Sequence, residues 1–209
     1  MSASKYSHDE TLSTTRIEIF SDAIMAIIMT LLVLEIELPV LPEGFTNQQA
    51  LDGLIHVLPH FLSFTLSFLV IAIIWVNHHH FFHRLRHADR GLLWFNNLLL
   101  FWICFIPFPT SFVGEYYTEP VPVLFYGVVF FFMATSFALA HYHACNHGLF
   151  RQDVSKAFLK REVQRSFVAP ILYLISVPVA LFSPSAALGI FVLVPLLYFL
   201  PAATVMADA

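Results

Sequence analysis

The chain has 209 residues, 58% of them hydrophobic and 11% charged, with 23 phenylalanines and a formal net charge of −4. Soluble domains carry about 25% charged residues, so the composition excludes an ordinary water-soluble globule and points to an integral membrane protein. The charge gives no basis for nucleic-acid binding, and Cys104 and Cys145, both within apolar stretches, suggest neither a disulfide framework nor a zinc site.

The first fifteen residues are polar and lack an apolar core, so no cleavable signal peptide is expected. Six apolar stretches follow, near 16–38, 54–82, 91–113, 121–146, 163–183 and 185–206. Each is long enough to cross a hydrocarbon layer of about 30 Å as a helix. The expectation is an all-α membrane domain of six helices spanning 1–209, with a polar tail over about 1–15.

The first stretch, RIEIFSDAIMAIIMTLLVLEIEL, begins at Arg16. Thr15 with Glu18 three residues on reads as a capping box. Helical spacing puts Phe20, Ile24, Ile27, Leu31, Leu34 and Leu38 on one bulky aliphatic stripe. Ala23, Ala26, Thr30 and Val33 form a second stripe of small or β-branched residues, expected to allow close helix packing. Asp22 lies inside the apolar run and needs a donor, because ionisable groups in a membrane are costly unless paired. Trp75, Asn77, His78, His79, His80 and His83 end the second stretch at the same depth. They supply candidate donors for a polar knot that a histidine could make acid-sensitive.

The fifth and sixth stretches are separated only by Phe182-Ser183-Pro184-Ser185, a tight hairpin. Pro107, Pro109, Pro170, Pro178 and Pro195 are expected to kink or end helices, which membrane helices tolerate. In a six-helix model all ten cations fall on one side: Lys5, Arg16, Arg84, Arg86, Arg90, Arg151, Lys156, Lys160, Arg161 and Arg165. That places both termini in the cytoplasm. Glu35, Glu37, Glu43, Asp52, Glu115 and Glu119 gather on the opposite side, where they could concentrate cations. No Gly-rich nucleotide loop, G-x-S-x-G or T-V-G-Y-G filter sequence is present.

Arg16, Phe20, Ser21 and Asp22 form an R-x-x-x-F-S-D motif that resembles the signature of the transmembrane protein 175 family, the lysosomal potassium channels. The run from Ala26 to Ile36 resembles the continuation of that family's first helix, and Trp75-Val76-Asn77-His78-His79 is similar to its W-x-x-H-H. The six-helix count matches the single-repeat prokaryotic members over essentially the whole chain. The resemblance implies a homotetrameric pore for potassium ions with helix 1 lining the axis. It implies a constriction at Ile27, further pore layers at Leu31 and Leu34, and Thr30, Ile24 and Leu38 as possible lining residues. The polar front, Arg16 to Asp22 with Trp75, Asn77, His78 and His79, would then be a structural clamp. Its partners would be potassium, membrane lipid and three identical subunits, with no cofactor and no catalytic residue.

Eleven histidines keep two other functions open. One is a haem- or metal-dependent membrane enzyme using His78, His79, His80, His83 and His87, or His141, His143 and His147. The other is a proton-coupled transporter using Asp22 and a histidine.

Overall fold

A computed structural model describes residues 13–199, which form helices joined by loops, with an isolated bridge between Leu85 and Phe150. Helix α1 spans Thr14–Leu31 and tightens into a 3-10 turn over Leu32–Glu35. It starts without a side-chain cap, so the capping box expected at Thr15 and Glu18 does not form. Glu18 instead reaches across to the second helix, a partner that local sequence cannot reveal.

Helix α2 runs over Asn47–His83, beginning seven residues before the expected 54. Its start is a real capping box: Thr46 Oγ1 accepts from the Gln49 amide at 3.3 Å, and Gln49 Oε1 accepts from the Thr46 amide at 2.8 Å. The first turns are polar and so invisible to an apolar window. At 1.5 Å per residue, 37 residues give roughly 55 Å, well beyond the hydrocarbon layer.

Helices α3 (Arg90–Phe105) and α4 (Pro107–Glu115) make one broken span, interrupted where Pro107 and Pro109 remove backbone donors. Helix α5 covers Pro120–Asn146, and a further span over Lys156–Phe182 consists of α6 (Lys156–Ser166) and α7 (Val168–Phe182). The expectation of a start near 163 missed most of α6, a charged helix capped by Ser155. After Ser183 comes α8, Pro184–Phe199. The rest of its expected length, to 206, lies outside the described residues, as do both chain ends and Lys5. Among the described residues, five spans are long and apolar enough to cross a membrane, and α8 is a shorter apolar helix. The chain is an integral, multi-pass membrane protein.

Helix α5 is the centre of the bundle. Tyr126, Phe130 and Met133 are fully buried there against Tyr173 of α7 and Phe191 of α8. A methyl group at Gly127 would sit 2.9 Å from Ser176 Oγ and 3.2 Å from the Phe191 ring, so a glycine is needed for this approach. A buried relay ties α5, α2 and α4. The Tyr126 hydroxyl lies 2.9 Å from Ser67 Oγ, which lies 2.7 Å from Thr110 Oγ1, and Thr110 donates to the Ile106 carbonyl.

The basic loops meet at one end. The Arg86 amide donates to the Leu149 carbonyl at 2.8 Å, and the Arg151 amide to the Arg84 carbonyl at 3.0 Å. At the other end His60 pairs with Glu115 at 3.3 Å.

Candidate functional site

Helix α1 has one face turned into the helix bundle, made by Ile17, Ser21, Met25, Ile28 and Leu32. This face lies on neither of the two stripes anticipated from sequence. The bulky stripe is open: Ile27 is 55% exposed, Leu31 41% and Leu34 71%. Phe20 is exposed as well, and Ile24 is half-buried. The small stripe of Ala23, Ala26, Thr30 and Val33 is also exposed, so it is not the face that packs on α2 and α3. Thr30 turns its hydroxyl back to the Ile27 carbonyl at 2.7 Å. The stripe does not continue to Leu38. The 3-10 turn changes the angular step, the backbone becomes extended at Ile36, and Leu38 stands beyond the helix.

Three polar links fix α1 at the basic end. Trp75 Nε1 donates to Asp22 Oδ1 at 3.0 Å, which supplies the donor that Asp22 required. His79 Nδ1 donates to Glu18 Oε1 at 2.8 Å. The third link is buried and passes through helix α3. Ser21 Oγ donates to the Ile17 carbonyl at 2.8 Å and accepts from Asn96 Nδ2 at 3.0 Å. Asn96 Oδ1 accepts from His78 Nε2 at 2.9 Å. His78 must therefore carry its proton on Nε2, and its Nδ1 is left buried without a partner. Its ring stacks on Phe82 at 4.4 Å.

Asn96 was not anticipated. Its signal is a polar pair, Asn96-Asn97, inside the apolar run of α3. Two expected clamp members are not drawn in. Asn77 donates to the Ile73 carbonyl of its own helix. Arg16 is exposed and makes no hydrogen bond to the described residues.

The histidines of α5 serve packing and pairing. His141 is buried, stacks on Phe81 at 4.0 Å and donates to the Phe137 carbonyl. His143 donates to Asp89 at 2.8 Å. Burial disfavours the Asp89 carboxylate, but the Leu92 amide and His143 outweigh it and hold its carboxyl below the usual range. No group of three or more His, Cys, Asp or Glu among the described residues is placed to hold a metal ion.

The clamp and the helices around it coincide with the part of the chain that matches a known family. The family model described as the endosomal/lysosomal potassium channel TMEM175 matches residues 16–107. A potassium channel of Chryseobacterium sp. is 31% identical over 189 residues, covering 89% of this chain and 92% of that one. A potassium channel of Chamaesiphon minutus is 33% identical over 185 residues, covering 87% and 91%. The crystal structure of a lysosomal potassium-selective channel TMEM175 homolog from Chamaesiphon minutus superposes with a TM-score of 0.79 at 29% identity, over 90% of this chain and 96% of that one.

Proposed function

Because the chain belongs to the TMEM175 family, we propose that it is a potassium-selective cation channel whose pore is lined by α1 from four copies of the chain. The observation that carries this reading is the open aliphatic face of α1, opposite a face held in place by hydrogen bonds to α2 and α3. One chain leaves that face uncovered, and a closed ring of identical chains covers it. Ile27 forms the constriction, with Leu31 and Leu34 lining the path beyond it. The polar front sets the rotation of α1, so that these side chains point to the axis.

A ring of isoleucines offers no carbonyl oxygens. Ions pass it with their hydration largely kept or lose water without replacement, and such a neck can gate by dewetting. Potassium holds its water less tightly than sodium, so desolvation alone favours potassium, by less than a carbonyl filter does.

The test is the reversal potential of the purified protein in a planar bilayer with potassium opposed to sodium. A potassium preference is expected in the parent. Ile27→Asn should wet the neck, raise the current and reduce the preference. Leu31→Ala and Leu34→Ala should do less, and a substitution of exposed Leu181 on α7 should do nothing. If Ile27→Asn is silent and Leu31→Ala is not, the narrow layer lies one turn further along. Saturable, stoichiometric uptake in place of passive current would make the protein a carrier.

A further inference from the structure

A cavity of about 230 Å³ lies away from α1, among α2, α5, α6, α7 and α8. A single water needs about 10–15 Å³ of such space, so this cavity suits part of a larger ligand. Its walls change character with depth. At the basic end the rim holds Arg84, Arg165 and His80, and Glu162 is the one carboxylate among the lining residues. Deeper in, the lining is Ile74, Met133, Phe137 and Val194.

Both guanidiniums are positioned by aromatic rings. Arg84 lies 4.8 Å over Phe158, with Nη1 3.5 Å from Glu162 Oε2. Arg165 lies 5.4 Å over Tyr198, whose hydroxyl donates to the Arg165 backbone carbonyl at 2.8 Å. The Arg165 guanidinium makes no hydrogen bond to the described residues. One carboxylate thus faces two fixed cations, and most of the guanidinium N–H groups are unused.

We propose that this cavity binds an anionic phospholipid from the leaflet at the basic end of the bundle, with Arg84 and Arg165 on its phosphate and one acyl chain against the apolar wall. The charge excess at the rim selects the head. Arginine pairs with phosphate through its planar fork, and basic pockets between membrane helices on the cytoplasmic side suit anionic headgroups. The apolar depth selects a chain-bearing molecule over a free anion. Helix α6 supplies both Glu162 and Arg165, so the lipid joins α6 to α2 and α5.

The full chain, purified in a zwitterionic detergent, can be titrated separately with short-chain phosphatidylglycerol, matching phosphatidylcholine and inorganic phosphate. The readouts are the melting midpoint and the lipid retained in native mass spectra. Phosphatidylglycerol should raise the midpoint saturably and leave one lipid per chain, and the other two should not. Arg165→Gln should weaken the apparent affinity roughly tenfold, as loss of a charge-assisted hydrogen bond does. Ala134→Leu, which fills the apolar wall without touching a charge, should weaken it too and decides the matter if Arg165→Gln does not fold. Equal effects of the two lipids would overturn recognition of the charge. An equal effect of phosphate would reduce the cavity to a plain anion site, and titrations unmoved by either variant would place the lipid elsewhere.

Discussion

Asn96 holds the buried link together because one side chain serves as both donor and acceptor where water is excluded. Its amide nitrogen donates to Ser21 Oγ, and its oxygen accepts from His78 Nε2. Asn96→Ala leaves both partners short, at about 1–3 kcal/mol per orphaned group. A lower melting midpoint with weaker current is expected, and normal stability would mean the link is incidental. Asp89 behaves differently, because its carboxyl is held below the ordinary value. A depressed folded-state carboxyl contributes stability that is complete above its unfolded value of about 4 and is lost as pH falls through the folded one. Asp89→Asn keeps a cap for the Leu92 amide but loses the charge facing His143. Its melting midpoint should lie below the parent's at neutral pH, and the gap should close as pH falls below about 4. Asp22 was legible in the sequence because a charge in an apolar run demands a partner. Asn96 was overlooked because a neutral amide makes a weaker demand, and its two partners sit on two other helices.

At the level of elements, hydropathy located each membrane span because burial in lipid imposes a length and a composition. It failed where polar residues form helix. The first turns of α2 and most of α6 are set by capping and by helix-favouring charged residues, which an apolar window discards. The inward face of α1 was also hidden. Apart from Ser21 its members are as apolar as the stripe beside them, and the neighbours α2 and α3 decide which side turns inward. Tight packing shows most clearly where α5 meets α7 and α8. Gly127→Val would drive two methyl groups toward Ser176 and Phe191, and overpacking of this kind costs about 1–3 kcal/mol. A thermal melt of the variant should shift down by a corresponding amount, with Gly127→Ala between it and the parent. A melt unchanged for Gly127→Val would mean that α7 and α8 can move aside freely.

For the whole molecule, the basic end and the polar links of α1 coincide. The basic loops are stitched to each other by backbone hydrogen bonds, and α1 starts at the same end through Glu18 and His79. The polar links therefore sit at one level, and the exposed part of α1 extends from them toward the acidic end. Among the described residues, α1 is held along one face, and its bulky aliphatic face is left open. Closure by rotation would bring the same face of each copy to a common axis, where it would line a path instead of meeting lipid. Four copies of a 23.8 kDa chain are expected in mild detergent, measured as a native mass or as a four-step cross-linking ladder. The Ser21–Asn96–His78 link should control that number. If it sets the rotation of α1, Asn96→Ala should lose tetramer before it loses helix content, and circular dichroism should remain near that of the parent while the native mass falls. A parent that conducts as a monomer would overturn the tetrameric pore. Asn96→Ala tetramers as stable as the parent's would separate assembly from the clamp and leave α1 oriented by its apolar contacts alone.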